Sequence, residues 1–364
     1  ERFTRSIVSQ ARRYGLKTRV LREKELRQNK FGALLAVAAG SRSKPSLVML
    51  EHKPPKAKKT LALVGKGVTF DSGGLNIKTG GGMAGMKADM SGAAVVAATL
   101  ITQARLKTRN HIIGAIPIVE NMPSGTATRP GDIVRSHAGK TIEIGNTDAE
   151  GRLVLSDAVW YAQQEYAPDV LIDVATLTGS VSRAVGEHYS GLFSNDDALA
   201  EKLAIASRQA GEPAWRLPLD PVHYEQIASP IADVMNGGEG RAGASIGAAF
   251  IGTFIREGQS WAHFDIAGID YAEEPLPTVP KGFSGHGVRM LDQYIPGASS
   301  AWTLTAPGDT GEMIEEAMRH RFEINLIGEP SFVAIEGTAL QRGENTPYQV
   351  IRHNNFYYLC HEGA

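Results

Sequence analysis

Four stretches of this chain are apolar almost without interruption, and helix-like segments separate them. "TLALVG" (60–65), "HIIGAIPIV" (111–119), "DVLIDVATLTG" (169–179) and "WAHFDIAG" (261–268) lack the polar alternation of a strand with one wet face. A strand apolar on both sides must be covered on both sides, which is the habit of parallel sheets. The segments between them, "SGAAVVAATLITQARL" (91–106), "LVLSDAVWYAQQEY" (153–166), "DALAEKLAIASRQAG" (197–211) and "IGAAFIGTFIRE" (246–257), read as helices. The alternation predicts an α/β fold, with a mainly parallel or mixed sheet covered by helices on both faces. "PSLVMLEH" (45–52) and "TIEIGN" (141–146) add strands, and residues 3–30 read as charged and helical, with a short strand at Lys17–Leu21. "KPPKAKK" (53–59) reads as a solvated connector.

The character changes after about Pro296. "GASSAWTLTAPGD" is linker-like, a short amphipathic helix opens at Thr310, and strand-like runs follow between Gly, Pro and Asn turns. We therefore expect one domain over 1–296 and a small β-rich appendage over 297–364, with Phe356, Tyr357 and Tyr358 in its core. Lys and Arg number 38 against 39 Asp and Glu, so the bulk charge does not indicate a polyanion partner, although local patches are compatible with it. The single cysteine, Cys360, cannot form an intramolecular disulfide, which favours a reducing, cytoplasmic setting. No apolar run reaches the ~20 residues of a membrane span, and we expect no secretory leader, although the chain starts at Glu1 and upstream residues could have been removed.

The loops that end these strands carry unusual side chains. "VGKGVTFDSGGLNIKTGGGMAGMKADMSGAA" (64–94) holds Lys66, Asp71, Lys78 and Asp89, and "NTDAEGR" (146–152) holds Asp148, Glu150 and Arg152 at every second position. Taken singly, each acid has an ordinary reading as a helix cap or a turn residue. Ligands gather at the carboxyl ends of parallel strands, however, and all these loops belong there. Four carboxylates on one rim raise one another's pKa, and two divalent cations would cancel their charge. Oxygen-rich ligands suit Zn²⁺, Mn²⁺ or Mg²⁺, and such a pair can activate water and polarise a carbonyl. Lys66, Lys78 and Arg152 would act as ligands or oxyanion stabilisers.

"NTDAEGRLVLSDA", "GKGVTFDSGGLNIK" and "MKADMSGAA" together resemble the leucyl aminopeptidase (cytosol aminopeptidase) family of two-metal exopeptidases, and the resemblance covers roughly residues 15–295. It extends through "ENMPSGTATRPGDIV", "DVATLTG", "WRLPL", "AGASIGAAF" and "GHGVRML". The resemblance implies that Asp71 and Glu150 bridge two metals. Asp89 and Lys66 would complete the tighter site, and Asp148 the exchangeable one. The metals would be zinc or manganese, with magnesium or cobalt also admitted. It further implies that Lys78 steadies the oxyanion and that Arg152 holds a bicarbonate that relays a proton. Met86, Thr176 and Gly179 would shape the first side-chain pocket, and the Leu177 carbonyl would contact the substrate backbone. Substrates would be peptides cut at the N-terminus, with apolar residues such as leucine preferred, and the assembly a hexamer.

Other readings are weaker. "GASIG" (243–247) satisfies G-x-S-x-G, with Asp265 and His286 in order behind it, but a glycine-rich loop stands where the nucleophile elbow needs a strand. "AGKT" (138–141) lacks the first P-loop glycine, and no H-E-x-x-H occurs. A non-enzymatic relative acting as a structural or DNA-binding assembly is the remaining alternative, and filled ligand positions speak against it. His263, Trp160, Tyr161 and Trp215 read as core. The chain begins near the family's connecting helix, from which we expect the usual N-terminal domain to be missing, truncated or carried on another polypeptide. Ala84 stands where an acid is common, from which we expect a more mobile lid. The 297–364 tail has no counterpart in the family.

Overall fold

The structure is a computed structural model that describes residues 1–57, 59–238, 240–275, 279 and 281–295, with the strand backbone at 333–335, 348–353 and 356–361. Ten helices occur among the described residues: α1 Arg2–Arg13, α2 Glu23–Gln28, α3 Gly32–Ala38, α4 Ser91–Arg105, α5 Glu150–Tyr166, α6 Gly179–Val185, α7 Asp197–Gln209, α8 Pro221–Glu225, α9 Gly243–Gly252 and α10 Val288–Tyr294. The first strands are β1 Lys17–Arg22, β2 Ser46–His52, β3 Thr60–Gly65, β4 Gly67–Asp71, β5 His111–Asn121, β6 Ile133–Arg135 and β7 Thr141–Glu143. They continue with β8 Val170–Ala175, β9 Ser190–Ser194, β10 Ala214–Arg216, β11 Val234–Met235, β12 Ser260–Asp265, β13 Tyr271–Ala272 and β14 Gly282–Phe283. The chain falls into two units, Glu1–Tyr271 with Phe283–Ala298, and Ala272–Gly282 with Ser299–Ala364.

The first unit is built on a nine-stranded sheet in the order β1-β2-β5-β3-β8-β12-β9-β10, with β4 beside β5. The centre is parallel: β5, β3, β8 and β12 run together, and these are the four continuously apolar runs. Antiparallel strands flank them, β2 on one side and β9 on the other, so the sheet is mixed. Along β8 the side chains alternate between two cores, Leu171 and Ala175 facing one, Ile172 and Val174 the other. The first core holds Leu34, Leu155 and Phe250 of α3, α5 and α9, and the second holds Ile7, Leu100, Leu203 and Leu291 of α1, α4, α7 and α10. Both faces are therefore covered by helices, as the apolar runs require.

Two expectations change in detail. "TIEIGN" gives only three strand residues, and β7 joins β6 and β11 in a separate three-stranded sheet. Trp215, read as core, is 61 % exposed, because it lies on the three-residue edge strand β10. The apolar stretch Gly80–Arg105 divides into a nine-residue 3-10 segment and the fifteen-residue α4, whose Val96 and Leu100 sit in the sheet's core. It is a core helix.

In the second unit β15 Val333–Ile335, β16 Tyr348–His353 and β17 Phe356–His361 form an antiparallel sheet with β17 central. The linker after 296, the helix at Thr310 and the side chains of Phe356, Tyr357, Tyr358 and Cys360 lie outside the described residues.

Candidate metal centre

The carboxyl ends of the parallel strands deliver the site. Lys66 directly follows β3, Asp71 closes β4 and Thr176 directly follows β8. The β4–β5 register breaks between Val68 and Asp71, the kind of irregularity that re-aims a side chain. Asp89 lies between the 3-10 segment Gly80–Ala88 and α4, Asp148 lies in the loop before α5, and Glu150 is the first residue of α5. Buried carboxylate oxygens of Asp71, Asp89 and Glu150 lie within 4.8 Å of one another. Lys66 Nζ is 2.6 Å from Asp89 Oδ1, 2.8 Å from Glu150 Oε1 and 2.8 Å from the Thr176 carbonyl. Lys78 Nζ is 2.8 Å from Asp71 Oδ2 and 2.6 Å from Asp148 Oδ1. Two ammoniums thus each hold a pair of acids.

Helix capping does not account for these acids. The N-cap of α5 is Ala149 and that of α4 is Met90, and neither helix start has a side-chain cap bond. Asp71 does serve its turn, accepting the Gly73 N–H at 2.9 Å, yet its second oxygen still faces Lys78. Gly151 is required for this packing, since a Cβ there would come within 2.7 Å of Lys66 Cε.

Burial opposes every charge in the cluster. At Lys66 it is outweighed by Asp89, Glu150 and Asp71, which push the ammonium pKa up. At Lys78, Asp148 and Asp71 outweigh it in the same direction. Asp71 ends below the usual carboxylate range despite burial, held there by Lys66 and Lys78. Burial raises Asp89 well above that range, Glu150 and Asp71 adding to it against Lys66. Glu150 and Asp148 are raised as well, by burial and by Asp71. Four carboxylates against two lysines leave an excess of buried negative charge, and Asp89 Oδ2 and Glu150 Oε2 are buried with no hydrogen-bond partner. Buried, unpaired carboxylate oxygens are costly unless a cation takes them, so the donor set fits divalent metal.

The remaining expected residues surround the cluster. Arg152 is buried, its Nη1 donates to the Asn236 and Gly237 carbonyls, and burial lowers its pKa to about 10 against Glu150 and Asp265. Thr176 turns its hydroxyl to Asp89 Oδ1 at 2.7 Å, and the Leu177 N–H donates to Asp265 Oδ1 at 3.0 Å. Met86 is half-buried on the 3-10 segment, none of whose residues is fully buried, and Gly179 is exposed at the start of α6. The serine-hydrolase set does not assemble: Asp265 accepts from Thr178, His286 pairs with Ser190, and Ser245 lies inside α9. His263 is a core residue, fully buried with Nδ1 2.6 Å from Asp173.

Sequence reasoning missed the residues that hold the acids in place. Asn121, within the quoted "ENMPS", donates from Nδ2 to Asp71 Oδ1 at 2.8 Å and to the Thr147 carbonyl at 3.0 Å. Its only signal was its place at the end of an apolar strand. Asp270 is a further acid near Lys66; burial raises its pKa, against the Gly268 N–H and Ser91.

A buried carboxylate–lysine cluster at the carboxyl edge of a mixed α/β sheet is one that could hold divalent metal. The profile of the cytosol aminopeptidase family, catalytic domain, matches residues 1–292, and the chain belongs to that family. A "Probable cytosol aminopeptidase" of Chlorobium luteolum is 48% identical over 296 residues, 81% of this chain and 58% of that protein. One of Streptomyces coelicolor is 47% identical over 293 residues, 80% of this chain and 56% of that protein. The chain thus spans somewhat more than half the length of these curated relatives. Among solved structures, the bottromycin maturation enzyme BotP in complex with Mn superposes with a TM-score of 0.78 at 41% identity, covering 80% of this chain and 64% of that one.

Proposed function

We propose that this chain is the catalytic domain of a metalloaminopeptidase that removes apolar N-terminal residues, leucine among them, from peptides. The observation that carries the reading is the convergence of Asp71, Asp89 and Glu150 within 4.8 Å, with two buried oxygens left without partners. Asp71 and Glu150 would be shared between two cations, Asp89 and Lys66 would hold one, and Asp148 the other. Zinc and manganese are the favoured metals; the similar BotP structure contains Mn. When bound, such a pair lowers the pKa of water and polarises a carbonyl.

The chain's own groups do the rest. Lys66 can bind metal only as the free amine, so loading displaces its proton. Lys78, with 19 % of its side chain exposed, is the cation within reach of a substrate carbonyl oxygen, where it stabilises developing negative charge. Arg152 has Nη1 engaged with carbonyls, which leaves Nη2 and Nε for an anion such as bicarbonate, the proton acceptor of this scheme. Met86, Thr176, Leu177 and Gly179 would border the pocket for the first side chain. A hexamer in the cytoplasm is the assembly and setting that the family suggests.

The test is hydrolysis of leucine p-nitroanilide by the Mn²⁺- or Zn²⁺-loaded protein. Asp148→Ala and Glu150→Ala should each lower the rate by more than about 100-fold, since even residues behind metal ligands can cost that much. Unchanged rates would remove the assigned site. Salt-sensitive DNA binding without hydrolysis would favour the structural or DNA-binding alternative.

A further inference from the structure

The loop 144–149 carries Asp148 and leads into Glu150 and Arg152, yet it has no regular secondary structure apart from a turn. A backbone without ladder bonds must find partners elsewhere. One side chain supplies four of them, more than any other residue. Asn236, directly after β11, is fully buried. Its Oδ1 accepts the N–H groups of Gly145 at 2.9 Å and Asn146 at 3.2 Å. Its Nδ2 donates to the carbonyls of Asn146 at 2.7 Å and Ala149 at 3.2 Å. Its own N–H donates to the Glu143 carbonyl at 3.1 Å, and its own carbonyl accepts from Arg152 Nη1. Ala149 is the N-cap of α5, so this bond fixes where the helix begins and hence where Glu150 stands. Asn121 holds the same loop from the opposite side through the Thr147 carbonyl.

We propose that Asn236 is a positioning residue for the metal centre: through its side-chain amide and its carbonyl it sets the placement of Asp148, Glu150 and Arg152 together. Only a primary amide can accept two N–H bonds at one end and donate two at the other in so little space. Alanine would leave the Gly145 and Asn146 N–H groups without partners and take one donor from each of the Asn146 and Ala149 carbonyls, the former keeping only the Ala149 N–H at 3.2 Å. Aspartate would keep the accepted bonds but turn a carboxylate oxygen toward the Asn146 and Ala149 carbonyls, forcing them apart. This inference rests on the metal-binding reading above, and its test does not require turnover.

Manganese alone is titrated calorimetrically into the full chain, with Leu203→Ala as the control, since Leu203 is buried in α7 on the other face of the sheet. Asn236→Ala should weaken Mn²⁺ binding by about 10- to 100-fold, the range for residues that orient metal ligands. Its kcat at saturating metal should fall more than its KM rises. Leu203→Ala should lower Tm yet keep Mn²⁺ affinity within about twofold of wild type, as expected for a distant, independent site. Asn236→Asp preserves volume and should also lose affinity, despite its added negative charge, which makes it decisive should the alanine variant not fold. Wild-type affinity in either Asn236 variant, or an equal loss in Leu203→Ala, would overturn the proposal. A wild-type chain that binds Mn²⁺ but hydrolyses no aminoacyl substrate would refute the proposed activity and leave this inference standing.

Discussion

At Gly151 a missing side chain is the condition for the centre. Alanine inside a helix ordinarily gains about 0.5–1 kcal/mol over glycine. Here its Cβ would press on Lys66 at 2.7 Å from Cε and 2.9 Å from Nζ. The clash falls on the flexible tip of Lys66, but that tip is buried and held by Asp89, Glu150 and the Thr176 carbonyl. Displacing it costs about 1–3 kcal/mol and outweighs the gain. Gly151→Ala should therefore lower the denaturation midpoint and weaken Mn²⁺ binding; a variant more stable than wild type would contradict the packing. The lysine itself yields a pH prediction. The neighbouring acids hold Lys66 protonated, and Asp89, Glu150 and Asp148 have raised pKa values, so metal binding must expel protons. Mn²⁺ affinity should rise between pH 6 and 8, by about tenfold per pH unit for each proton released. An affinity flat across that range, measured by titration in buffers of matched ionic strength, would contradict it. At this scale the motif acids were legible because their spacing is local. Asn121 and Asn236 were not, because an asparagine's value lies in which backbone faces it after folding.

Helix α5 does more than present Glu150 and Arg152. Two turns in, the fully buried Asp157 accepts the Leu34 N–H at 2.9 Å and the His137 N–H at 2.7 Å. It thereby caps α3, whose own N-cap residue supplies no side-chain bond. Burial raises its pKa to about 7, against the N–H groups of Leu34, His137 and Ala33. Below pH 3.8 both folded and unfolded states carry the proton, and the folded state keeps it up to about pH 7. Stability from this group is therefore full at low pH and declines as pH rises through that window, by on the order of 4 kcal/mol. Asp157→Asn should flatten that part of the metal-free stability profile, followed by urea denaturation at successive pH values. It should also cost about 1–3 kcal/mol at low pH, because its NH₂ must face one of the two donors. An unchanged slope would contradict the assignment. Elements were readable where a single rule governed them: the four apolar runs became the parallel centre, and α4 and α7 ended within two residues of their sequence patterns. β7 and β10 were not, since three-residue strands carry too few side chains to reveal which sheet they join or that Trp215 faces solvent.

Over the whole molecule the near-neutral charge conceals segregation. Residues 1–59 contain sixteen Lys and Arg against four Asp and Glu, while the entire chain has a net charge of −1. Arg2, Arg5, Arg12 and Arg13 are all exposed on α1, opposite its buried Thr4, Ile7 and Ala11. The chain should therefore bind a heparin column at pH 7 and elute with modest salt; flow-through at low ionic strength would show that the patch is neutralised. Composition could not reveal this, because a sum discards position. The centre at the carboxyl ends of the central parallel strands is the account's main claim, and diffraction from crystals soaked in Mn²⁺, recorded at the manganese edge, tests it most directly. Two anomalous peaks should appear, one touching Asp89 and one touching Asp148, with Asp71 and Glu150 at both. A structure with those carboxylates still closed on Lys66 and Lys78, and manganese absent or bound elsewhere, would contradict it.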